Sequence, residues 1–161
     1  MSIATADLNK AIVTAWAASG LDALFQGLGG EAPILQDQEA TPSQAMPYCV
    51  TEAFSPSTTE RMSAGTSRMY ETRDVPVTFH VFAGEVPNDS RTSKEIAAYL
   101  AEEIMKVYGG HPTESASADL ALDNGSCLIT ENQNDYGIRA GDDHYEWVVE
   151  YLFRCDIPVA I

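Results

Sequence analysis

"HYEWVVEYLFRCDIPVAI", His144–Ile161, is the segment on which the fold turns. In a strand, successive side chains point to opposite faces, and with that period the segment separates into two unlike sets. Tyr145, Trp147, Val149, Tyr151, Phe153 and Cys155 share one face, which is almost wholly apolar. Glu146, Val148, Glu150, Leu152 and Arg154 share the other, where Val148 and Leu152 sit among charges. The first face belongs beneath covering helices. The second suits partial burial, including burial against another subunit.

An earlier stretch repeats the pattern. In "RMYETRDVPVTFHVFAGE", Val75, Val77, Phe79 and Val81 take one face, while Thr78, His80 and Phe82 take the other. Pro76 cannot donate to a ladder, so it marks a bulge or a sheet edge there. "MPYCVTEAF", Met46–Phe54, reads as a strand after Pro47, and "GSCLITENQND", Gly125–Asp135, as another. Between the first two, Ser55–Ser67 is polar and turn-rich, a hairpin tip or a projecting loop. "YGIRAGDDH", Tyr136–His144, reads as the connection into the last strand, with Gly141, Asp142 and Asp143 at its tip. From Glu31 to Gln44 the chain has no periodicity and reads as a surface loop.

Two stretches carry the 3.6-residue period instead. "TADLNKAIVTAWAASGLDALFQGLGG" offers Thr5 and Asp7 as N-caps, an apolar stripe through Leu8, Ile12, Ala15 and Trp16, an interruption at Gly20 and a stop at Gly29 and Gly30. "NDSRTSKEIAAYLAEEIMKVYGG" places Thr92 and Glu95 at capping-box spacing, with Ala97, Leu100, Ile104, Val107 and Tyr108 as its stripe. Short connections between strands favour antiparallel neighbours. The expectation is one α+β domain over 1–161, with an antiparallel or mixed β-sheet and two α-helices packed on one face.

The composition is that of a globular protein, 45% apolar and 20% charged, but the charge is lopsided. Twenty-four acidic residues oppose nine Lys and Arg, for a net charge of −15. Nucleic-acid binding needs a basic footprint, and no stretch concentrates Lys or Arg. No apolar run reaches the roughly 20 residues of a membrane span. Cys49, Cys127 and Cys155 are widely spaced and lack a CxxC pattern, which predicts buried, reduced thiols in a reducing cytoplasm.

Catalytic signatures are lacking: there is no phosphate-binding GxxxxGK, no GxGxxG after a strand, no GxSxG and no HExxH. Asp142, Asp143 and His144 could offer oxygen and nitrogen to a divalent cation, but Gly and Asp are ordinary turn residues, and an acidic hairpin tip is the preferred reading. His80 has no nucleophile beside it in the strand pattern and reads as a satisfied histidine at a boundary or interface. Glu102 and Glu103 lie near Lys106 at helical spacings, Glu102 at i,i+4, on a solvated helix face. The expectation is a non-enzyme with no catalytic residues, no cofactor and no metal.

The order of elements and three local strings resemble the tail-terminator, or tail-completion, proteins of long-tailed bacteriophages. Those strings are the strand at Pro47-Tyr48, "VPVTFHVFA" leading into "SKEIAAYLAEEIMKVYGG", and the terminal "YEWVVEYLFRCDIPV". The resemblance covers most of the chain. It implies a structural virion protein whose copies form a hexameric ring on the head-proximal end of the tail tube, ending tube polymerisation and offering the head-joining surface. The implied partners are further copies of the chain, the tail tube protein and a head–tail connector or neck protein, with DNA passing through unbound and no membrane. The implied location is the virion tail, after assembly in the host cytoplasm. A closed ring requires two complementary faces per subunit. Val148, Leu152, Arg154, His80 and Phe82 are the candidate subunit-interface residues, with the Pro76 edge and the loops Glu31–Gln44 and Ser55–Ser67 as further candidates. Alternatives in the same frame are another connector or neck protein, or an acidic DNA mimic that would compete with duplex DNA for a host protein.

Overall fold

Two long strands organise the sheet because both alternate apolar and polar residues over their central stretches. In the computed structural model, which describes residues 3–40, 43–53, 57–64, 68–109, 120–123, 125–139, 141 and 143–160, these are β4 (Arg68–Gly84) and β7 (His144–Ala160). They pair antiparallel along their whole length, from Arg68 opposite Ala160 to Gly84 opposite His144. The remaining strands are β1 (Leu35–Asp37), β2 (Tyr48–Ala53), β3 (Ser57–Ala64), β5 (Ala121–Leu122) and β6 (Gly125–Arg139). The seven-stranded sheet has the order β1-β2-β4-β7-β6-β5, with β3 also on β4. It is mixed, since β1 runs parallel to β2 and the other pairs are antiparallel.

The helices α1 (Ile3–Ser19), α2 (Leu21–Gly27) and α3 (Ser93–Tyr108) build one core with a single face of this sheet. Leu8, Ile12 and Trp16 of α1, Leu21 and Phe25 of α2, and Ile96, Leu100 and Ile104 of α3 meet Val77, Phe79, Val81, Val149, Tyr151 and Phe153. Phe79 lies at its centre, with ring centroids 4.9 Å from Tyr108 and 5.7 Å from Tyr151. Buried hydroxyls need acceptors: Tyr108 donates to the Ile12 carbonyl at 2.6 Å, and Tyr151 donates to the Gly109 carbonyl. Burial raises both phenol pKa values above their ordinary range. The expected α+β class is the observed one, with three helices on the face rather than two because Gly20 divides the first.

Helix α3 begins as its sequence specifies. Thr92 Oγ1 accepts from the Glu95 N–H at 3.2 Å, and Glu95 Oε2 accepts from the Thr92 N–H at 3.1 Å, a complete capping box. Its buried face is wider than the sequence stripe, adding Ile96, Ala101 and Met105. Lys106 pairs with Glu103, one of the two acids expected near it, at 2.9 Å. At the other end of the chain, Thr5 and Asp7 are inside α1 rather than capping it, because the helix has already begun at Ile3. Gly20 has φ +79, a left-handed backbone that separates α1 from α2 at little cost for glycine. Trp16 Nε1 then bridges the break by donating to Asp22 at 2.7 Å.

Four further expectations are corrected. Ser57–Ala64, expected as part of a tip or loop, is strand β3, held by backbone pairing to β4 despite its polar composition. Leu35–Asp37, expected as loop, is β1. β6 continues to Arg139, so Tyr136–Arg139 belong to the ladder rather than the turn. Pro76 does not mark an edge. β4 is flanked on both sides, by β7 along its whole length and by β2 and β3 on the other side, with Pro76 between the last described β2 pair at Val77 and the first described β3 pair at Asp74. His111 and Asp142 lie outside the described residues.

The core stops at Val75 and Cys155, but the strands continue. β3, Arg68–Asp74 and the end of β7 form a three-stranded arm beyond the last helix-covered position. At roughly 3.3 Å per residue it extends on the order of 20 Å.

Candidate interaction face

Register determines which side chains share the sheet face without helices. Tyr48, Phe82, Glu146 and Ile138 form one cross-strand row, and Val50, His80, Val148 and Tyr136 the next. Glu52, Thr78, Glu150 and Asn134 follow, then Pro76, Leu152 and Glu131. All five residues expected at an interface, Val148, Leu152, Arg154, His80 and Phe82, therefore stand on this one face. They are not equally available. Val148 is only 2% exposed, closed in by its row, whereas Phe82, Leu152 and Arg154 are half-buried.

His80 is tied to the strands on either side. Its Nδ1 is 2.6 Å from Glu146 Oε1, and its Nε2 is 3.3 Å from Glu52 Oε2. Such a contact has Nδ1–H donating to the carboxylate, so the histidine is satisfied by two chain-distant acids rather than poised over a nucleophile. Tyr48 stacks on Phe82 with centroids 5.0 Å apart. Burial, followed by the Glu146 charge, raises the Tyr48 pKa. A cleft of about 250 Å³ opens here, lined by Glu39, Tyr48, Glu52, His80 and Phe82 among others.

At the root of the arm, Arg154 grips its register partner Asp74 with both ends of the guanidinium, Nε to Oδ1 at 2.8 Å and Nη2 to Oδ2 at 3.1 Å. On the opposite side of the arm, Arg73 holds the buried Glu71 at 2.6 Å. Charge is divided between arm and body. From Ser57 to Asp74 and from Arg154 onward, Arg61, Arg68, Arg73 and Arg154 balance Glu60, Glu71, Asp74 and Asp156. The net charge of −15 therefore belongs to the rest of the chain.

The sequence reading missed Tyr136 and Ile138, which are 38% and 43% exposed on the same face. Their alternation with Asn134 was the available signal, but a ladder irregularity between Asn132 and Asn134 shifts the phase, and Gly137 mimics a turn. That glycine is needed on the other face, where an added Cβ would come within 2.6 Å of Tyr145 and 2.8 Å of the Trp147 ring. Trp147 is half-buried at the core's rim, its Nε1 donating to Asp135 at 3.0 Å.

At the expected acidic tip, Asp143 pairs with His144 at 2.9 Å, and that hydrogen bond draws the Asp143 pKa down. Among the described residues, no group of three or more His, Cys, Asp or Glu is arranged to hold a metal, and no helix is long and apolar enough to cross a membrane. Cys49 and Cys155 are fully buried, and burial pushes the Cys49 thiol pKa up. Chemically, the face can engage apolar or cationic surfaces and repel phosphate.

The fold is of the α+β class, with one mixed sheet covered by helices on a single face. No protein-family model matches the sequence, and no curated protein matches it. Among solved structures, the fold is similar to a chain in the virion of a native gene transfer agent particle, with a TM-score of 0.59 and 16% identity over 96% of this chain and 99% of that one. At that identity the likeness concerns the fold.

Proposed function

We propose that this protein is a structural component of a phage-like particle: a tail terminator whose copies close into a ring on the head-proximal end of the tail tube. There it ends tube polymerisation and presents the head-joining surface, without catalysis. The observation that carries this reading is the sheet face that no helix covers among the described residues, where Phe82, Leu152, Tyr136 and Ile138 lie exposed or half-buried among carboxylates. Residues of that kind stay exposed in a monomer when another surface covers them.

The arm supplies a second, different surface, as a ring requires. It is electrically balanced and arginine-bearing, and the body it would meet on a neighbouring copy is strongly acidic. Acidic side chains turned toward a DNA passage would let duplex slide by without capture. Likeness in fold to a gene transfer agent virion chain supports a particle component and favours no position within it, so another connector or neck protein is the second reading.

Electron microscopy and native mass measurement of the purified protein, alone and with tail tubes, test both readings. Rings, and density confined to tube ends, are expected for a terminator. Binding to portal-bearing heads but not to tubes would select the connector reading. A monomer at micromolar concentration that leaves tubes and heads bare would overturn both.

A further inference from the structure

Cys127 and Cys155 are register partners on β6 and β7. Neither is in a disulfide, and both side chains belong to the core side, Cys155 fully buried and Cys127 half-buried at its margin. Directly opposed residues of antiparallel strands have Cα atoms about 4.5–5.5 Å apart, within the roughly 4.4–6.8 Å that a disulfide spans. The nearness of Cys127, ahead of burial, pushes the Cys155 thiol pKa up, and Cys127 Sγ also lies 3.7 Å from Thr130 Oγ1. The third thiol, Cys49, faces Val81 on the far side of β4, with both β4 and β7 between β2 and β6.

We propose that Cys127 and Cys155 are an oxidation site, closing to a cross-strand disulfide when the protein meets a peroxide-class oxidant. Access sets the order of events. The Cys127 sulfur attacks a peroxide oxygen, an S–O bond forms as the O–O bond breaks, and the departing oxygen leaves as water with the thiol proton. The Cys155 sulfur then attacks the Cys127 sulfur. An S–S bond forms, the S–O bond breaks, and a second water leaves with the Cys155 proton. Two thiols lose two electrons to one peroxide, giving one disulfide and two waters.

The bond would bolt β6 to β7 beside the irregularity between Cys127 and Ile129, at the root of the arm. Closing the loop between these residues restricts the unfolded chain, so the oxidised form should be the more stable. The chemistry holds whether or not the protein forms rings.

The test uses the full chain, freed of reductant and treated with hydrogen peroxide. The mass should fall by two hydrogens, the titratable thiols should fall from three to one, and non-reducing peptide mapping should link 127 to 155. Dithiothreitol should reverse all three. Cys49→Ser should behave the same, whereas Cys155→Ser should retain one added oxygen on Cys127 that a sulfenic-acid probe captures. A chain that keeps Cys127 and Cys155 alkylatable after the treatment, or that links either to Cys49 or to a second molecule, overturns the proposal.

Discussion

Tyr151 and Leu152 are neighbours in the chain and opposites in the fold, so substituting each in turn separates stability from assembly. Tyr151 is 1% exposed. Tyr151→Ala would remove a ring whose centroid lies 5.7 Å from Phe79 and 5.5 Å from Phe153. It would also remove the hydroxyl that satisfies the Gly109 carbonyl. Truncating a buried aromatic costs about 3–5 kcal/mol, and losing the hydrogen bond adds about 1 kcal/mol. A chain of this size loses roughly 2–4 °C of Tm per kcal/mol, so thermal unfolding followed by circular dichroism should drop by on the order of 10–20 °C. Leu152 stands on the other face between Pro76 and Glu131. Leu152→Asp sets like charges opposite one another, which costs up to about 1 kcal/mol, so its Tm should move by only a few degrees. In a subunit contact, however, an unpaired buried carboxylate costs about 3–5 kcal/mol, on the order of a hundred- to a thousand-fold in association. Sedimentation velocity at micromolar concentration should therefore find Leu152→Asp folded and monomeric where the parent chain is a ring. Intact Leu152→Asp rings, or an unchanged Tm for Tyr151→Ala, would refute the assignment of the two faces.

Thr92→Ala removes the capping box at α3 and should cost about 1 kcal/mol, read as a shifted denaturation midpoint with an unchanged slope. Gly137→Ala forces its Cβ against Tyr145 and Trp147; a cost of about 1–3 kcal/mol is expected, with a change in tryptophan emission as the ring is displaced. Arg91 lowers the Asp89 carboxyl to about 2, chiefly through its side-chain hydrogen bonds and then its backbone N–H. A depressed folded-state value means that the pair's contribution is present above the ordinary carboxylate value and fades as pH falls through about 2. Carbon-detected NMR titration of Arg91→Gln should show the Asp89 midpoint rising toward 3.8, and an unmoved midpoint would contradict the attribution.

Helix α3 was legible down to its cap because every signal there is local: Thr92, Glu95, the apolar stripe and the glycines that end it. The central stretches of β4 and β7 were legible because burial on one face imposes period-two alternation on their residues. β3 and β1 were not. β1 is only three residues long, too short for a period to show, and "STTERMSA" carries no alternation from which to infer a strand; both are fixed by backbone pairing to a neighbour. The five interface candidates could be assigned to a face from parity alone. Their company could not: Glu146 reaches His80 only because β7 lies beside β4, and Tyr136 joins that row only after the β6 irregularity corrects its phase. Pro76 misled for a related reason, since strand edges depend on which neighbours arrive.

β7 is last in sequence among the strands yet lies between β4 and β6, with all of α3, β5 and β6 separating it from β4 along the chain. That arrangement gives the domain a high contact order, and pairings of that kind form slowly because a long loop must close before they reward it. During synthesis, β4 and β6 must wait with their inner edges unmatched until β7 has been made, the period in which aggregation competes with folding. The sheet closes only when β7 enters the gap, so folding and the creation of the face opposite the helices become a single, late event.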